Sequence, residues 1–285
     1  MSGEQVRYPA VAGQFYASTR SALLKQIEKC YTHRLGPGKV PKLKSDGRRL
    51  IKGGVVPHAG YEYSGPIAAH VFNALAGDGF PETFVIMGGH AAYGEAVITT
   101  ETFITPLGKV QVDEDLANKM GIEQSPDVHA SEHAIEIQLP FLQHLKPDIK
   151  FVPVHVPSME LGMAEEVGRK IANAVKGKDV VILATTDFTH AGPNYGYLPP
   201  KGLGIDEFVK KQDEIAIKAI LELSPHKLLK EIEKNETLMC GAGSVAAMLF
   251  ALEKTAKSAE LLKYANSYEI LPSSSAVGYG AIVIK

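Results

Sequence analysis

Residues 180–190 read VVILATTDFTH, an apolar run that ends abruptly in polar side chains. The first five of these residues are apolar on both faces and rich in β-branched side chains, which is typical of a strand covered by helices on each side. Three other stretches have the same character, namely Leu50 to Val56, Thr83 to Met87 and Ile149 to Val156. These four runs predict the central strands of one sheet.

Segments of helical periodicity separate these runs, and this alternation indicates the α/β class with a mostly parallel sheet. The predicted helices are Ser21 to Tyr31, Pro66 to Leu75, Asp113 to Met120, Glu132 to Leu145, Met159 to Val175, Ile205 to Leu221, Pro225 to Lys234 and Gly243 to Glu253. Two strands near the end of the chain, Leu261 to Ile270 and Gly278 to Ile284, are expected to extend the sheet in antiparallel fashion. Because no central stretch resembles a linker, we expect residues 1–285 to form a single domain.

The composition excludes several classes of protein. Of the 285 residues, 45% are apolar and 22% are charged, which is typical of a globular protein and not of a disordered one. The formal net charge of -2 provides no overall field for nucleic acid or for an anionic membrane. The two cysteines form no disulfide framework, the first residues lack a signal-peptide pattern, and no apolar run reaches the ~18 residues of a membrane helix. We therefore expect a cytoplasmic protein with neither nucleic-acid nor membrane partners.

Chemically useful side chains directly follow three of the predicted strands. His58 follows the first strand, His90 follows the second, and Asp187 and His190 follow the fourth. In a parallel sheet, ligands bind in the crevice at the carboxyl ends of the strands, where the loops converge. A single histidine is more often a surface or core residue, but three on one rim favour a functional site.

Cys240 is a further candidate, because it lies in TLMCGAGS, a glycine-rich turn that precedes an apolar helix. The partial positive charge at a helix N-terminus is expected to lower the pKa of the thiol, which favours the thiolate required for metal ligation or nucleophilic attack. The alternative is a buried cysteine that packs as a small hydrophobic residue. Cys30, which shares a helix face with Leu23 and Ile27, fits that alternative.

Four more residues are candidates for contact with a ligand. Tyr61 and Tyr63 lie in the glycine-rich loop after His58, where the backbone can approach a ligand closely. His133 and Glu136 are three positions apart on a predicted helix, so their side chains would share one face. That pair could bind a ligand or a metal, and an ordinary surface pair is the alternative.

Together, these segments resemble the Memo family, named after a mediator of receptor-driven cell motility in animals. The resemblance covers nearly the whole chain and rests on six blocks in the same order. The blocks are the opening segment with Arg7, Ala12, Gly13, Phe15 and Tyr16, then PHAGYEYSG, MGGH, EHAIEIQLPF, TTDFTH and MCGAGS. The family resembles class III extradiol (LigB-type) ring-cleaving dioxygenases in fold, which implies a three-layer α/β/α arrangement around a mixed, mostly parallel sheet.

The resemblance implies that His58, His90 and Cys240 bind one divalent transition metal and that Asp187 and His190 line the same pocket. Dioxygenases of that fold hold Fe(II) through two histidines and one carboxylate, which makes Fe(II) the expected metal. Cys240 stands where that carboxylate would be. Because a thiolate is a softer ligand, Cu and Zn are alternatives.

Three functions are compatible with these residues. The first is a metal-dependent oxidoreductase in which His190 transfers a proton, while Asp187 orients His190 or binds the ligand. The second is a non-catalytic module for a phosphotyrosine-like peptide or another anionic ligand. The third is a cysteine hydrolase with Cys240 as nucleophile and His190 as base. Prokaryotic members of the family are often encoded beside radical SAM and AMMECR-type proteins, so the resemblance also implies a pathway shared with them.

Overall fold

The computed structural model describes residues 5–90, 94–157 and 160–285. Within these ranges twelve strands belong to one sheet. The strands are β1 Val6–Arg7, β2 Gly53–Val56, β3 Thr83–Gly88, β4 Val97–Ile98, β5 Thr102–Thr105, β6 Gly108–Val112, β7 Glu123–Gln124, β8 Lys150–His155, β9 Val180–Thr185, β10 His190–Ala191, β11 Ala259–Asn266 and β12 Ala276–Ile284. The helices are α1 Arg20–Thr32, α2 Gly65–Asp78, α3 Glu114–Lys119, α4 Pro126–Ala130, α5 Leu139–Leu145, α6 Leu161–Ala174, α7 Ile205–Leu221, α8 Pro225–Lys234 and α9 Ala242–Leu252.

Strands β8, β3, β9 and β2 lie side by side in the centre of the sheet, and each adjacent pair is parallel. They correspond to the four apolar runs of the sequence, so the prediction of central parallel strands is confirmed. β12 pairs antiparallel with β2, and β11 pairs antiparallel with β12, as expected for the end of the chain. The sheet is therefore mixed and mostly parallel.

Helices cover both faces of this sheet, as two neighbouring glycines of β2 illustrate. A Cβ built on Gly53 would lie 2.6 Å from Leu252 of α9, whereas one on Gly54 would lie 3.3 Å from Val71 of α2. Because successive strand residues point to opposite faces, α9 and α2 lie on opposite sides of the sheet. Helices α6 and α8 pack against α9, and α1 and α5 pack against α2. The α/β/α arrangement in one domain is confirmed.

No helix within the described residues combines the length and the apolar character needed to cross a membrane.

The predicted helix from Glu132 to Leu145 is wrong in its first half. Residues 131–133 are not helical, residues 134–135 form a turn, Glu136–Gln138 form one turn of 3₁₀ helix, and α5 begins only at Leu139. Pro140 explains the break, since a proline inside a helix lacks an N–H donor and its ring collides with the carbonyl four residues earlier. His133 and Glu136 therefore do not share the face of an α-helix.

A buried ion pair attaches the N-terminal segment to this turn. The Glu136 carboxylate accepts hydrogen bonds from the Arg7 guanidinium, from the N–H of Ala10 at 2.7 Å and from the Tyr16 hydroxyl at 2.5 Å. Arg7 also donates to the backbone carbonyl oxygens of His129, at 3.0 Å, and Glu132. Both members of the pair are buried, with 1% and 0% of their side-chain surfaces exposed. The charge of Glu136 is thus used to hold the turn in place.

Replacement of Arg7 by Met should lower the free energy of unfolding by about 3–5 kcal/mol, because it leaves the buried Glu136 carboxylate without its cation. Urea denaturation measures this loss. Arg169→Met is the matched control, since Arg169 pairs with Glu165 on the exposed side of α6, where such a pair contributes about 0–1 kcal/mol. Equal losses in the two variants would contradict the structural role of Arg7.

His129 should make the stability of the fold depend on pH. Its ring is fully buried, Nε2–H donates to the carbonyl oxygen of Val97 at 3.2 Å, and Nδ1 has no partner among the described residues. Burial is the main cause that lowers the pKa of His129 to about 4. In the unfolded chain the ring of His129 takes up a proton near pH 6.5, whereas in the folded chain it does so only near pH 4. Burial of the neutral ring therefore does not reduce the free energy of unfolding above about pH 6.5, and reduces it progressively as the pH falls towards 4.

We therefore expect His129→Gln to flatten the decrease in the free energy of unfolding between about pH 6.5 and pH 4. Urea denaturation of the wild type and the variant across this range tests the expectation. Parallel pH profiles would show that burial of His129 does not suppress its protonation.

Candidate metal centre

Three side chains meet at the carboxyl ends of β2 and β3 and at the turn before α9. His58 lies two residues beyond β2, His90 lies two residues beyond β3, and Cys240 lies two residues before α9. The Nε2 atom of His58 lies 3.1 Å from the Sγ atom of Cys240 and 3.1 Å from the Nε2 atom of His90. The three ligand atoms all lie within 4.8 Å of one another. The structure therefore brings together the three residues that the sequence proposed as metal ligands.

Close packing between the turn before α9 and the end of β9 places Cys240 at this point. A Cβ on Gly241 would lie only 2.2 Å from the carbonyl oxygen of Thr185, so a side chain cannot be accommodated without a shift. The N–H of Gly241 donates to Thr186 Oγ1 at 2.9 Å, and the N–H of Asp187 donates to Cys240 Sγ at 3.2 Å. The sulfur is thus positioned by backbone contacts with the segment after β9.

Hydrogen bonds on its other side orient His58. Its Nδ1 atom lies 3.0 Å from the hydroxyl oxygen of Thr185, so Nε2 is directed towards Cys240 and His90. The backbone N–H of His58 donates to Asp187 Oδ1 at 2.8 Å, and that of Ala59 donates to the same oxygen at 3.3 Å. Asp187 therefore fixes the loop that carries the first candidate ligand.

His90 is the most exposed of the three, with 37% of its side-chain surface accessible. Its Nδ1 atom faces Oε1 of the buried Glu132 at 3.8 Å. Its ring stacks on that of His133, with centroids 4.4 Å apart and planes inclined by 15°. A carboxylate behind a ligating imidazole is a common arrangement in metal sites, because it orients the ring and raises its basicity.

The surroundings keep the two imidazoles neutral. Burial, followed by the nearby imidazoles, lowers the pKa of His58 well below its usual value and that of His90 to about 4. A neutral imidazole is the form that binds a metal. Burial and the neighbouring imidazoles therefore keep both rings in the neutral form near neutral pH.

The thiol of Cys240 behaves differently from the expectation drawn from its place before a helix. Burial and the neighbouring Asp187 carboxylate raise its pKa to about 12, despite the N–H donor of Asp187. The expected lowering of the thiol pKa by α9 is thus wrong for the protein without a bound metal. Proximity to a metal cation would favour the thiolate, since a coordinating thiol is deprotonated.

His190 occupies the same rim as these residues. Its Nδ1–H donates to the backbone carbonyl oxygens of Phe188, at 3.0 Å, and Leu238, at 3.2 Å. Because carbonyl oxygens only accept hydrogen bonds, Nδ1 carries the proton and Nε2 is left as the basic nitrogen. Asp187 is bonded to the backbone of the His58 loop and does not hydrogen-bond to His190. The assignment of both residues to catalysis stays a prediction.

A cavity of about 490 Å³ opens above the three candidate ligands. Tyr63 and His133, both proposed to contact a ligand, lie in its wall, whereas Tyr61 and Glu136 do not. The Tyr61 hydroxyl instead donates to the backbone oxygen of Ile137 at 2.7 Å within the core, and Glu136 pairs with Arg7 as described above. The cavity wall consists of Phe15, His58, Ala59, Gly60, Tyr63, His90, His133, Asp187, His190, Asn194, Tyr195, Cys240, Ser267, Leu271, Ser273, Ser275, Val277 and Tyr279.

Several residues that shape the site were missed in the sequence. Thr185 and Thr186 position His58 and Cys240, and their place at the end of the VVILA run was a usable signal. Glu132 faces His90 from a turn that had been predicted to be helical. The wall residues from 267 to 279 lie far from every motif in the sequence, so only the fold reveals them.

The spacing of the three ligand atoms fits a single ion. A tetrahedral metal with sulfur at about 2.3 Å and nitrogen at about 2.0–2.1 Å holds its ligand atoms roughly 3.3–3.6 Å apart. Two separations here are 3.1 Å, and the third does not exceed 4.8 Å. Two imidazole nitrogens and one sulfur are also a donor set that iron, copper and zinc accept. The site could therefore hold one transition metal after small adjustments.

Comparison with known proteins agrees with the resemblance found in the sequence. A family described as Memo-like protein matches residues 7–283. A MEMO1 family protein of Methanopyrus kandleri is 40% identical over 292 residues, which cover 98% of this chain and 99% of the relative. A MEMO1 family protein of Thermococcus kodakarensis is 39% identical, again covering 98% and 99% of the two chains. An uncharacterized protein of Escherichia coli K12 has a related fold, with a TM-score of 0.51, 15% identity and coverage of 82% of this chain and 99% of that one.

In protein without metal, Cys240 should react with iodoacetamide at pH 7.5 about a hundredfold more slowly than free cysteine. The raised pKa lowers the fraction of thiolate by a larger factor than it increases the reactivity of each thiolate. The Cys30→Ser variant leaves Cys240 as the one thiol, and mass spectrometry measures its alkylation. Denatured Cys30→Ser protein is the control for intrinsic reactivity. Rapid, stoichiometric alkylation of the native variant would contradict this expectation and support an activated nucleophile.

Proposed function

This chain belongs to the Memo-like protein family, and we propose that it binds one divalent transition metal through His58, His90 and Cys240 and performs redox chemistry on an organic ligand in the cavity above them. The observation that carries the proposal is the convergence of two imidazole nitrogens and one sulfur within 4.8 Å of one another, on a rim that also holds His190. Three protein ligands leave coordination positions open, as in catalytic metal sites and not in closed structural ones.

Fe(II) is the metal we propose first, because Fe(II) sites in related folds also use three protein ligands and keep open positions. The sulfur of Cys240 makes copper and zinc the alternatives, since soft thiolate ligands favour both. When bound, such an ion would polarise a coordinated ligand and, in the case of iron or copper, would let that ligand pass electrons to an external oxidant such as dioxygen.

The chain itself would supply proton transfer and positioning. His190 has its Nδ1–H anchored on two backbone carbonyl oxygens, so its Nε2 atom can accept a proton from a hydroxyl group of the ligand and later return it. Asp187 supports the site through the backbone N–H groups of His58 and Ala59. Of the residues proposed to contact the ligand, we retain Tyr63 and His133, because they lie in the cavity wall.

Two observations favour metal ligation over nucleophilic attack by Cys240. The raised pKa of the thiol leaves little thiolate at neutral pH in the protein without metal. The imidazole in contact with the sulfur is that of His58, whose own pKa is lowered by burial and which is therefore a weak base. A hydrolase would require the opposite properties of both groups.

Metal binding tests this proposal directly. Protein purified under anaerobic conditions and reconstituted separately with Fe(II), Cu and Zn should retain about one ion per chain, as measured by elemental analysis after gel filtration. His58→Ala, His90→Ala and Cys240→Ser should each weaken binding by more than about a hundredfold, because each removes a ligand and not merely a group that orients one. Calorimetric titration with the same metals measures these affinities.

Two histidine variants serve as controls. His190→Gln should bind metal as the wild type does, because His190 is proposed to move a proton. His226→Ala should have no effect, since His226 packs edge-on against Phe250 of α9. If His58→Ala and Cys240→Ser bound metal with the affinity of the wild type, the proposed metal site would be wrong. Retention of zinc alone, with neither iron nor copper bound, would refute the redox chemistry and leave the metal site intact.

A further inference from the structure

Asp213 is a buried carboxylate that the proposed function does not use. It lies on α7, and its side chain is fully buried. Its Oδ1 atom accepts from the N–H of Thr189 at 2.8 Å, and its Oδ2 atom accepts from the hydroxyl of Tyr264 at 2.7 Å. Neither partner is a cation, although a carboxylate is costly to remove from water without compensation. The stability of the core therefore does not by itself explain a carboxylate at this position.

Strand β12 leaves space for this carboxylate. A Cβ built on Gly278 would overlap with Oδ2 of Asp213, so no side chain fits at position 278 while Asp213 keeps its place. The N–H of Phe188 donates to the carbonyl oxygen of Gly278 at 2.8 Å, and the N–H of Gly278 donates to that of Thr189 at 3.0 Å. Asp213 and β12 therefore bind the same short segment, Phe188 and Thr189.

One peptide group in this segment joins Asp213 to His190. The carbonyl of Phe188 and the N–H of Thr189 belong to the same planar peptide group. Its N–H donates to Asp213, and its carbonyl oxygen accepts from Nδ1–H of His190 at 3.0 Å. An acceptor bound to the N–H therefore fixes the direction of the carbonyl. It also makes the carbonyl a stronger acceptor, because hydrogen bonds in a chain polarise one another.

The second acceptor for the His190 ring is farther away and is shared. The carbonyl oxygen of Leu238 lies 3.2 Å from Nδ1 and also accepts from the backbone N–H of His190 at 3.2 Å. The Phe188 oxygen is thus the closer of the two acceptors for the ring. The hydrogen bond to Phe188 should consequently have the larger influence on which ring nitrogen carries the proton.

We propose that Asp213 is a positioning residue for His190. Through the peptide group between Phe188 and Thr189, it holds the neutral imidazole in the Nδ1–H tautomer and leaves Nε2 free to accept a proton. This inference rests on the proposed function for the proton that His190 transfers. It gives Asp213 the orienting role expected of Asp187, which bonds instead to the backbone of the His58 loop. In Ser-His-Asp triads a carboxylate fixes the tautomer of a histidine directly, whereas a peptide group lies between the two here.

This role requires only that Oδ1 accept a hydrogen bond. Burial is the main cause that raises the pKa of Asp213 to about 7. A proton on this carboxyl group can lie on Oδ2 and be shared with the Tyr264 hydroxyl, so Oδ1 can accept from Thr189 in both protonation states. An amide oxygen can accept in the same way. Asparagine is therefore the conservative replacement, whereas alanine removes the acceptor.

The tautomer of His190 tests this inference. Two-bond ¹H–¹⁵N NMR spectra of the metal-free, full-length protein at about pH 8.5, where imidazoles are neutral, distinguish the protonated ring nitrogen from the other. His190→Gln identifies the signals. The wild type should contain predominantly the Nδ1–H form. In Asp213→Ala the ratio of Nδ1–H to Nε2–H should fall about fivefold, as expected for the loss of one ordinary hydrogen bond, whereas Asp213→Asn should keep the wild-type ratio.

Tyr264→Phe is the matched control, because it removes the other hydrogen bond to the same buried carboxylate. Like Asp213→Ala, it should lower the free energy of unfolding, which urea denaturation measures. Unlike Asp213→Ala, it should leave the tautomer ratio of His190 unchanged. If Asp213 only stabilised the fold, the ratio would change in both variants or in neither.

Three results would overturn the inference. The first is a wild-type His190 in the Nε2–H form, which is decisive even if Asp213→Ala does not fold. The second is an unchanged ratio in folded Asp213→Ala, and the third is a ratio that falls equally in Asp213→Asn and Asp213→Ala. Because the spectra are recorded without metal, failure of the wild type to bind Fe(II), Cu or Zn would contradict the proposed function alone.

Discussion

Parallel pairing of β2, β9 and β3 is the constraint on which the whole site depends. Val56 of β2 lies opposite Thr185 of β9, and Met87 of β3 lies opposite Ala184, so the three strands end at nearly the same level. The segment that follows each strand consequently emerges at one edge of the sheet. The register of the hydrogen-bond ladders therefore brings three residues that are far apart in the sequence to this edge, namely His58, His90 and Asp187.

Of the three candidate ligands, Cys240 alone does not follow a strand of the sheet. Dense packing around the turn before α9 fixes the position of its sulfur. All eleven residues of α9 are buried, and the glycine that precedes the helix lies against the end of β9. Cys240 is therefore fixed by the core and by backbone hydrogen bonds. Burial has a second effect, because the loss of hydration that destabilises a charged imidazole also keeps His58 and His90 in the form that binds metals.

The charged groups in this region support the structure of the site. Arg7 and Glu136 neutralise each other within the core and hold the turn from which Glu132 and His133 reach the site. One carboxylate oxygen of Asp187 accepts hydrogen bonds from two backbone N–H groups. The cavity wall around the three candidate metal ligands also contains aromatic rings and serine hydroxyl groups.

The sequence alone determined the α/β class and the four central strands, because long apolar runs are local signals. It also marked His58, His90 and Cys240 as candidates, and the resemblance to the Memo family implied that these three residues bind a metal. It could not show that Glu136 is a buried partner of Arg7, since the pair joins segments more than a hundred positions apart. It also suggested a helix across residues 132–138, where Pro140 and the capping carboxylate of Glu132 favour a turn. The cavity wall and the high pKa of the Cys240 thiol were decided only by the tertiary structure. Each depends on which residues, distant in the sequence, pack against one another and exclude water. No single stretch of the sequence specifies that packing.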